Sequence, residues 1–152
     1  MPDYKKILIA VDLVSQDDEV VTAKGRELAE KFGAEMSLIH VIEQHTYAYG
    51  TPFISEKFIE WQAELEQSAK AHLAKLGEKL AIPADRQYIP TGQTQTCILE
   101  LADEAKVDLI VVGSHGRHGL GLVLMGSTAG GVLHHASCDV LAVRVQEGAL
   151  GV

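Results

Sequence analysis

Apolar residues alternate along the chain between short runs and longer helical periods. Ile7-Leu8-Ile9-Ala10-Val11 is a continuous apolar run ended by Asp12. Such runs fit strands buried on both faces of a parallel sheet. Met36–Ile42, Asp108–Val112 and Val140–Val145 are the further long candidates. Gln87–Pro90 is a short strand placed toward an edge, because Pro90 cannot donate to a ladder. Between these runs apolar residues recur at steps of three or four. Val20, Val21, Leu28 and Phe32 predict a helix over 17–32, stopped by Gly33. Phe58, Trp61, Leu65, Ala69, Leu73, Leu76 and Leu80 predict a long amphipathic helix over 53–80, with its aromatic residues in the core. Ile98, Leu99 and Ala102 mark a helix over 94–105. A last helix is predicted over 126–135, opening at Ser127, a favoured N-cap type. Residues 43–52 are expected as a loop.

The order is β-α-β-α-β-α-β-loop-α-β. Strands alternating with helices mean an α/β fold, a parallel sheet covered on both faces. The length of 152 residues fits one domain over 1–145, with a loose tail over 146–152. Gly130-Gly131 inside a helix costs about 1 kcal/mol per glycine relative to Ala, so close packing is expected there.

Composition narrows the partners. Thirteen Lys+Arg against 21 Asp+Glu give a net charge of -8, which excludes a general nucleic-acid binder and docking to an anionic membrane. No apolar run is long enough to span a bilayer and none resembles a signal peptide, so no membrane insertion and a cytoplasmic protein are expected. Cys97 and Cys138 show no metal or redox spacing and are expected as buried reduced thiols.

The acids are unevenly spread. From Leu109 to Cys138 there is none, and that stretch holds Arg117 and four of the seven histidines. His134 and His135 suit the negative end of the helix they close, and His40 is expected as a satisfied sheet histidine. In an open α/β sheet, ligands bind beyond the carboxyl ends of strands where the strand order reverses. Asp12 follows the first strand, and Val41 closes the second. After the fourth comes Gly113-Ser114-His115-Gly116-Arg117, and Gly126-Ser127-Thr128 opens the next helix. Glycines let a ligand approach the backbone closely. A helix N-terminus presents unpaired N–H groups and a positive dipole end. The Ser127 and Thr128 hydroxyls can donate to phosphate oxygens or help hold a hydrated cation, and Arg117 can neutralise charge. The pattern Gly-x2-Gly-x9-Gly-Ser, after a buried strand and opening a helix, points to a nucleotide-phosphate site.

These segments, Ile7–Asp12, Ser37–Val41, and Asp108 through Gly126-Ser127 to the closing strand, resemble the universal stress protein family over nearly the whole chain. The intact Gly113-x2-Gly116-x9-Gly126-Ser127 resembles its ATP-binding branch. The resemblance implies an open five-stranded parallel sheet in order 3-2-1-4-5, Rossmann-like. It further implies that Val11, Asp12 and Leu13 line an adenosine pocket and that Val41 faces the adenine. Gly113, Gly116 and Arg117 would wrap the ribose and phosphates, and Gly126, Ser127 and Thr128 would hold the terminal phosphates of ATP, with Mg²⁺ or Mn²⁺. Val14 stands where the family usually carries a small hydroxyl residue, and Asp139 where proline is common. A homodimer through the last strand, 140–145, is also implied. Such pairing would cover an apolar edge.

Hydrolysis needs a base or water-orienting group and usually a metal carboxylate. The glycine-rich segment has neither carboxylate nor Walker lysine. The expectation is an ATP-binding stress-response or regulatory protein with slow or no turnover, with room for an unidentified protein partner. The alternatives are an adenine-nucleotide hydrolase or adenylyl-transfer enzyme of related fold, and a nucleotide-free protein-interaction module.

Overall fold

The most apolar run of the chain becomes the middle of the sheet. In the computed structural model, which describes residues 3–13, 15–43, 56–115 and 127–145, Ile7, Leu8 and Ile9 are almost fully buried. They belong to β1 (Lys6–Ala10). The chain continues through α1 (Ser15–Phe32), β2 (Glu35–Ile39), β3 (Ile42–Glu43) and α2 (Glu56–Leu80). A 3-10 turn (Ala84–Arg86), β4 (Gln87–Tyr88), β5 (Thr91–Gly92) and α3 (Thr94–Glu104) follow. The described chain closes with β6 (Leu109–His115), α4 (Ser127–His135) and β7 (Asp139–Val145).

The main sheet has the order β4-β2-β1-β6-β7, all parallel. With β4, β6 and β7 as the third, fourth and fifth strands, this is the expected 3-2-1-4-5. Side chains alternate across a strand, and β1 shows it. Ile7, Ile9 and Val11 pack with Val21 and Ala29 of α1 and with Leu73 and Leu80 of α2. Leu8 joins Ile98 and Ala102 of α3, Ile110 and Val112 of β6, and Ala129 and Val132 of α4. Helices therefore cover both faces. The amino ends are tied together by Asp108, whose carboxylate accepts the backbone N–H of Lys5 and Lys6. Asp139 accepts the Tyr4 hydroxyl at 2.7 Å. No helix among the described residues is long and apolar enough to cross a membrane.

Several boundaries differ from expectation. The second strand does not run to Ile42. It stops at Ile39 and resumes as β3, paired with β5 in a separate two-stranded sheet. Pro90 explains the break, because it has no N–H to continue the ladder between β4 and β5. The acceptors are still used: His40 N–H donates to the Tyr88 carbonyl, and Ile42 N–H to the Pro90 carbonyl. β6 is longer than expected, and takes in Gly113, Ser114 and His115, which pair with Val143, Arg144 and Val145.

The helices also bury different residues than periodicity implied. On α1 the buried set is Asp18, Val21, Thr22, Gly25 and Ala29, while Val20 is exposed. On α2 burial follows Ala69, Leu73, Gly77 and Leu80. Trp61 is 53% exposed, so the expectation of a core aromatic is corrected. It packs on Phe58 of its own helix, with ring centroids 5.9 Å apart. The first three turns of α2 bury no residue, and its buried stripe starts only at Ala69. Cys97 and Cys138 are free but half-buried rather than buried. Gly131 is close-packed, because a Cβ there would collide with the Gln95 side chain. Gly130 faces open space, so close packing accounts for one of the two helix glycines.

Candidate functional site

Strand order reverses at β1, whose neighbours are β2 on one side and β6 on the other. The crevice beyond the carboxyl ends of β1 and β6 is therefore the place where this topology admits a ligand. The structure brings Val11, Asp12, Leu13, Val41 and Gly113 to that end. Val11 is buried, and its N–H donates to the Ile39 carbonyl, so the backbone still runs with the sheet. Asp12 is exposed, and Leu13 is half-buried with φ 62°, in the left-handed region. Val41 is buried between the end of β2 and β3. It packs in the core on the α3 and α4 side of the sheet, whereas Val11 packs on the α1 and α2 side.

Gly113 is a packing glycine here. It lies in β6, where a Cβ would stand 3.2 Å from Val21 Cγ2 and 3.4 Å from Val145 Cγ2. The first glycine of the motif thus lets α1 and β7 close on β6, and it lies in the strand rather than in the loop after it. Ser127 and Thr128 open α4 as expected, though their side chains lie outside the described residues. Gly116, Arg117 and Gly126 also lie outside the described residues.

Two further side chains at this end were not among the expected site residues. His40 Nδ1 lies 2.9 Å from the Val11 carbonyl oxygen, which satisfies the histidine as expected and fixes that carbonyl. Asp18 is 6% exposed, and its Oδ1 accepts the Asp12 N–H at 3.1 Å. Burial pushes its carboxyl up to about 6, and the nearby Asp12 carboxylate adds to that. The Asp12 and Leu13 N–H groups and His40 pull the other way. The signal for Asp18 was available: it stands one helical step ahead of Val21 and Thr22 on the face that continues through Gly25 and Ala29. An acid at the head of a buried stripe needs a partner.

Metal-ligating side chains do not cluster among the described residues, where no group of three or more His, Cys, Asp or Glu could hold an ion. Burial raises both cysteine thiols above their ordinary value, which makes them poor nucleophiles at neutral pH.

An open parallel α/β sheet covered by helices on both faces, with its strand order reversing at β1, is the class that this fold defines. Within that class, the universal stress protein family model matches residues 3–144. The chain belongs to the universal stress protein family. It is 41% identical over 146 residues to universal stress protein A homolog 2 of Coxiella burnetii, covering 96% of this chain and 99% of that one. Among solved structures it is similar to the universal stress protein UspA from Lactobacillus plantarum, with a TM-score of 0.77 and 25% identity. That match covers 95% of this chain and all of that one. Two further solved relatives share the fold. One is a universal stress protein in complex with cAMP, with a TM-score of 0.61, 23% identity, and 94% and 98% coverage of the two chains. The other is the Archaeoglobus fulgidus universal stress protein in complex with dAMP, with a TM-score of 0.59, 20% identity, and 93% and 99% coverage.

Proposed function

We propose that this protein is a stress-response regulator that holds an adenine nucleotide in the crevice between β1 and β6, ATP being the ligand for which the sequence is equipped. What supports the reading is the meeting of Asp12, Val41 and Gly113 at one sheet end, the end where the topology reverses. Buried Val41 suits an adenine face, and the exposed Asp12 carboxylate suits ribose hydroxyls. Gly116, Arg117, Gly126, Ser127 and Thr128 supply the backbone N–H groups, cation and hydroxyls for the phosphates, with a divalent ion held mainly by the phosphates themselves. The relatives solved with cAMP and dAMP support the adenine class.

Turnover is slow or absent in this reading. Residues 109–138 hold no carboxylate to orient water, and Asp12 belongs to the opposite, nucleoside end of the crevice. The strand β7 lies at the sheet edge with Val140, Leu141 and Ala142 half-buried, which suits pairing with a second copy along 140–145.

Thermal unfolding with and without magnesium ATP tests the proposal. A ligand at 100 times its Kd adds about 2.7 kcal/mol, which raises Tm by about 5–10 °C for a domain of this size. Gly126→Trp should remove that rise and leave the unliganded Tm nearly unchanged. No rise in the wild-type protein favours the nucleotide-free interaction module. Phosphate release above background, lost in Ser127→Ala, favours the hydrolase. A monomer in light scattering removes the dimer.

A further inference from the structure

The turn assigned to the nucleoside, Val11–Leu13, is held from two sides by buried or half-buried side chains. His40 fixes the Val11 carbonyl at 2.9 Å. Asp18 accepts the Asp12 N–H at 3.1 Å and interacts with the Leu13 N–H as well. Between them Leu13 is kept at φ 62°, a region that a side-chain-bearing residue adopts only when its surroundings impose it. The Thr22 hydroxyl donates to the Asp18 backbone carbonyl at 2.5 Å, one turn further along α1. No other described acid is buried. A first-turn acid suits the positive end of the helix, but Asp17 beside it meets that need from a less buried position, and the stripe that Asp18 heads continues as Val21, Thr22, Gly25 and Ala29.

We propose that Asp18 is the positioning residue of the nucleotide site: its ionised carboxylate holds the Asp12–Leu13 turn in the shape that receives the nucleoside, and loss of its charge weakens binding. The proposal rests on the nucleotide reading above. A charged acceptor forms hydrogen bonds roughly twice as strong as a neutral one. A neutral carboxyl keeps one good acceptor where the ion offers two, so one of the two N–H groups of the turn loses its partner. The charge is removable near physiological pH, because burial holds this carboxyl at about 6. Protons reach it through an open groove of about 190 Å³ between the start of α1 and the end of α2, lined by Asp18 itself. The groups facing it are Asp12 from the turn, His40 from the end of β2, Glu19 on its own helix, and His72, Lys75 and Lys79 across the groove.

The test is ATP affinity by calorimetry for wild type, Asp18→Asn and Asp18→Ala at pH 7.5 and pH 5. Ratios between proteins at one pH cancel the titration of ATP itself. Asp18→Asn keeps the shape and removes the charge, and Asp18→Ala removes both acceptors. At pH 7.5 the Kd should rise about threefold in Asp18→Asn and about tenfold in Asp18→Ala. At pH 5 the Asp18→Asn ratio should fall to about one, because wild-type Asp18 is then neutral too. A purely structural role would leave that ratio independent of pH. A constant ratio, or variants that bind as tightly as wild type, overturns the proposal. A wild-type protein that binds no ATP at either pH overturns the nucleotide reading instead. Circular dichroism confirms that the variants are folded, and the near-isosteric Asp18→Asn carries the test if Asp18→Ala is not.

Discussion

Lowering the pH from 7.5 to 4 should stabilise the wild-type protein relative to its Asp18→Asn variant. The Asp18 carboxyl is moved from its ordinary 3.8 to about 6, with burial the main cause. The folded state therefore holds a proton on Asp18 between pH 4 and 6 that the unfolded chain has released. The stability contributed by that bound proton is complete below pH 3.8 and is lost as pH rises through about 6. At about 1.4 kcal/mol for each pKa step, the whole effect is about 3 kcal/mol. Asparagine keeps the acceptor for the Asp12 N–H and cannot titrate. Other carboxylates titrate alike in both proteins, so the difference in unfolding free energy isolates Asp18. Urea melts at pH 4, 5, 6 and 7.5 would measure it. The difference should swing by about 2.4 kcal/mol toward wild type on going from pH 7.5 to 4, since the last part of the effect comes only below that pH, or by about 5–10 °C in Tm. A difference that stays flat across that range refutes the argument that Asp18 is buried and ionised at neutral pH. Stability and nucleotide affinity should then move in opposite directions with pH, since the charge that strains the fold is the one that shapes the turn.

Other substitutions test the packing. Gly25→Ala places a Cβ 2.5 Å from Ile9 Cδ1 and 2.9 Å from Cγ1, and Ile9 is fully buried with nowhere to go. Overpacking should outweigh the helix gain and lower stability by about 1–2 kcal/mol in denaturant melts. Gly130→Ala meets open space in α4 and should raise stability by about 1 kcal/mol. Equal effects at the two glycines would contradict the packing described here. Ile110→Ala empties a fully buried position in the middle of β6, and a loss of about 2–5 kcal/mol is expected in equilibrium unfolding.

The parallel α/β class was legible because short, largely apolar runs alternate with helical periods, whereas the strand order 3-2-1-4-5 came with the family resemblance. What the sequence hid were decisions made between segments. The end of β2 depends on Pro90, whose missing N–H acts on a strand some fifty residues earlier in the chain. Gly113 belongs to a phosphate-binding pattern, yet the side chains that close over it are Val21 and Val145. A sequence pattern cannot separate a glycine that admits a ligand from one that admits a side chain. Trp61 has the spacing of a core residue, but periodicity does not say where along a helix the core begins. Asp18 went unread because helix polarity was judged by its apolar members alone. Asp12 and Val41 were singled out by the topology rule, since a parallel sheet offers few places for a ligand, and Val11 and Leu13 came with the family resemblance.

The central claim is that this crevice takes an adenine nucleotide. Calorimetric titration of the purified, nucleotide-free protein with ATP, and with GTP under the same conditions, addresses it most directly. The account predicts one ATP site per chain, and much weaker binding of GTP. No heat of binding from ATP at millimolar concentration, or ATP and GTP bound alike, would contradict it.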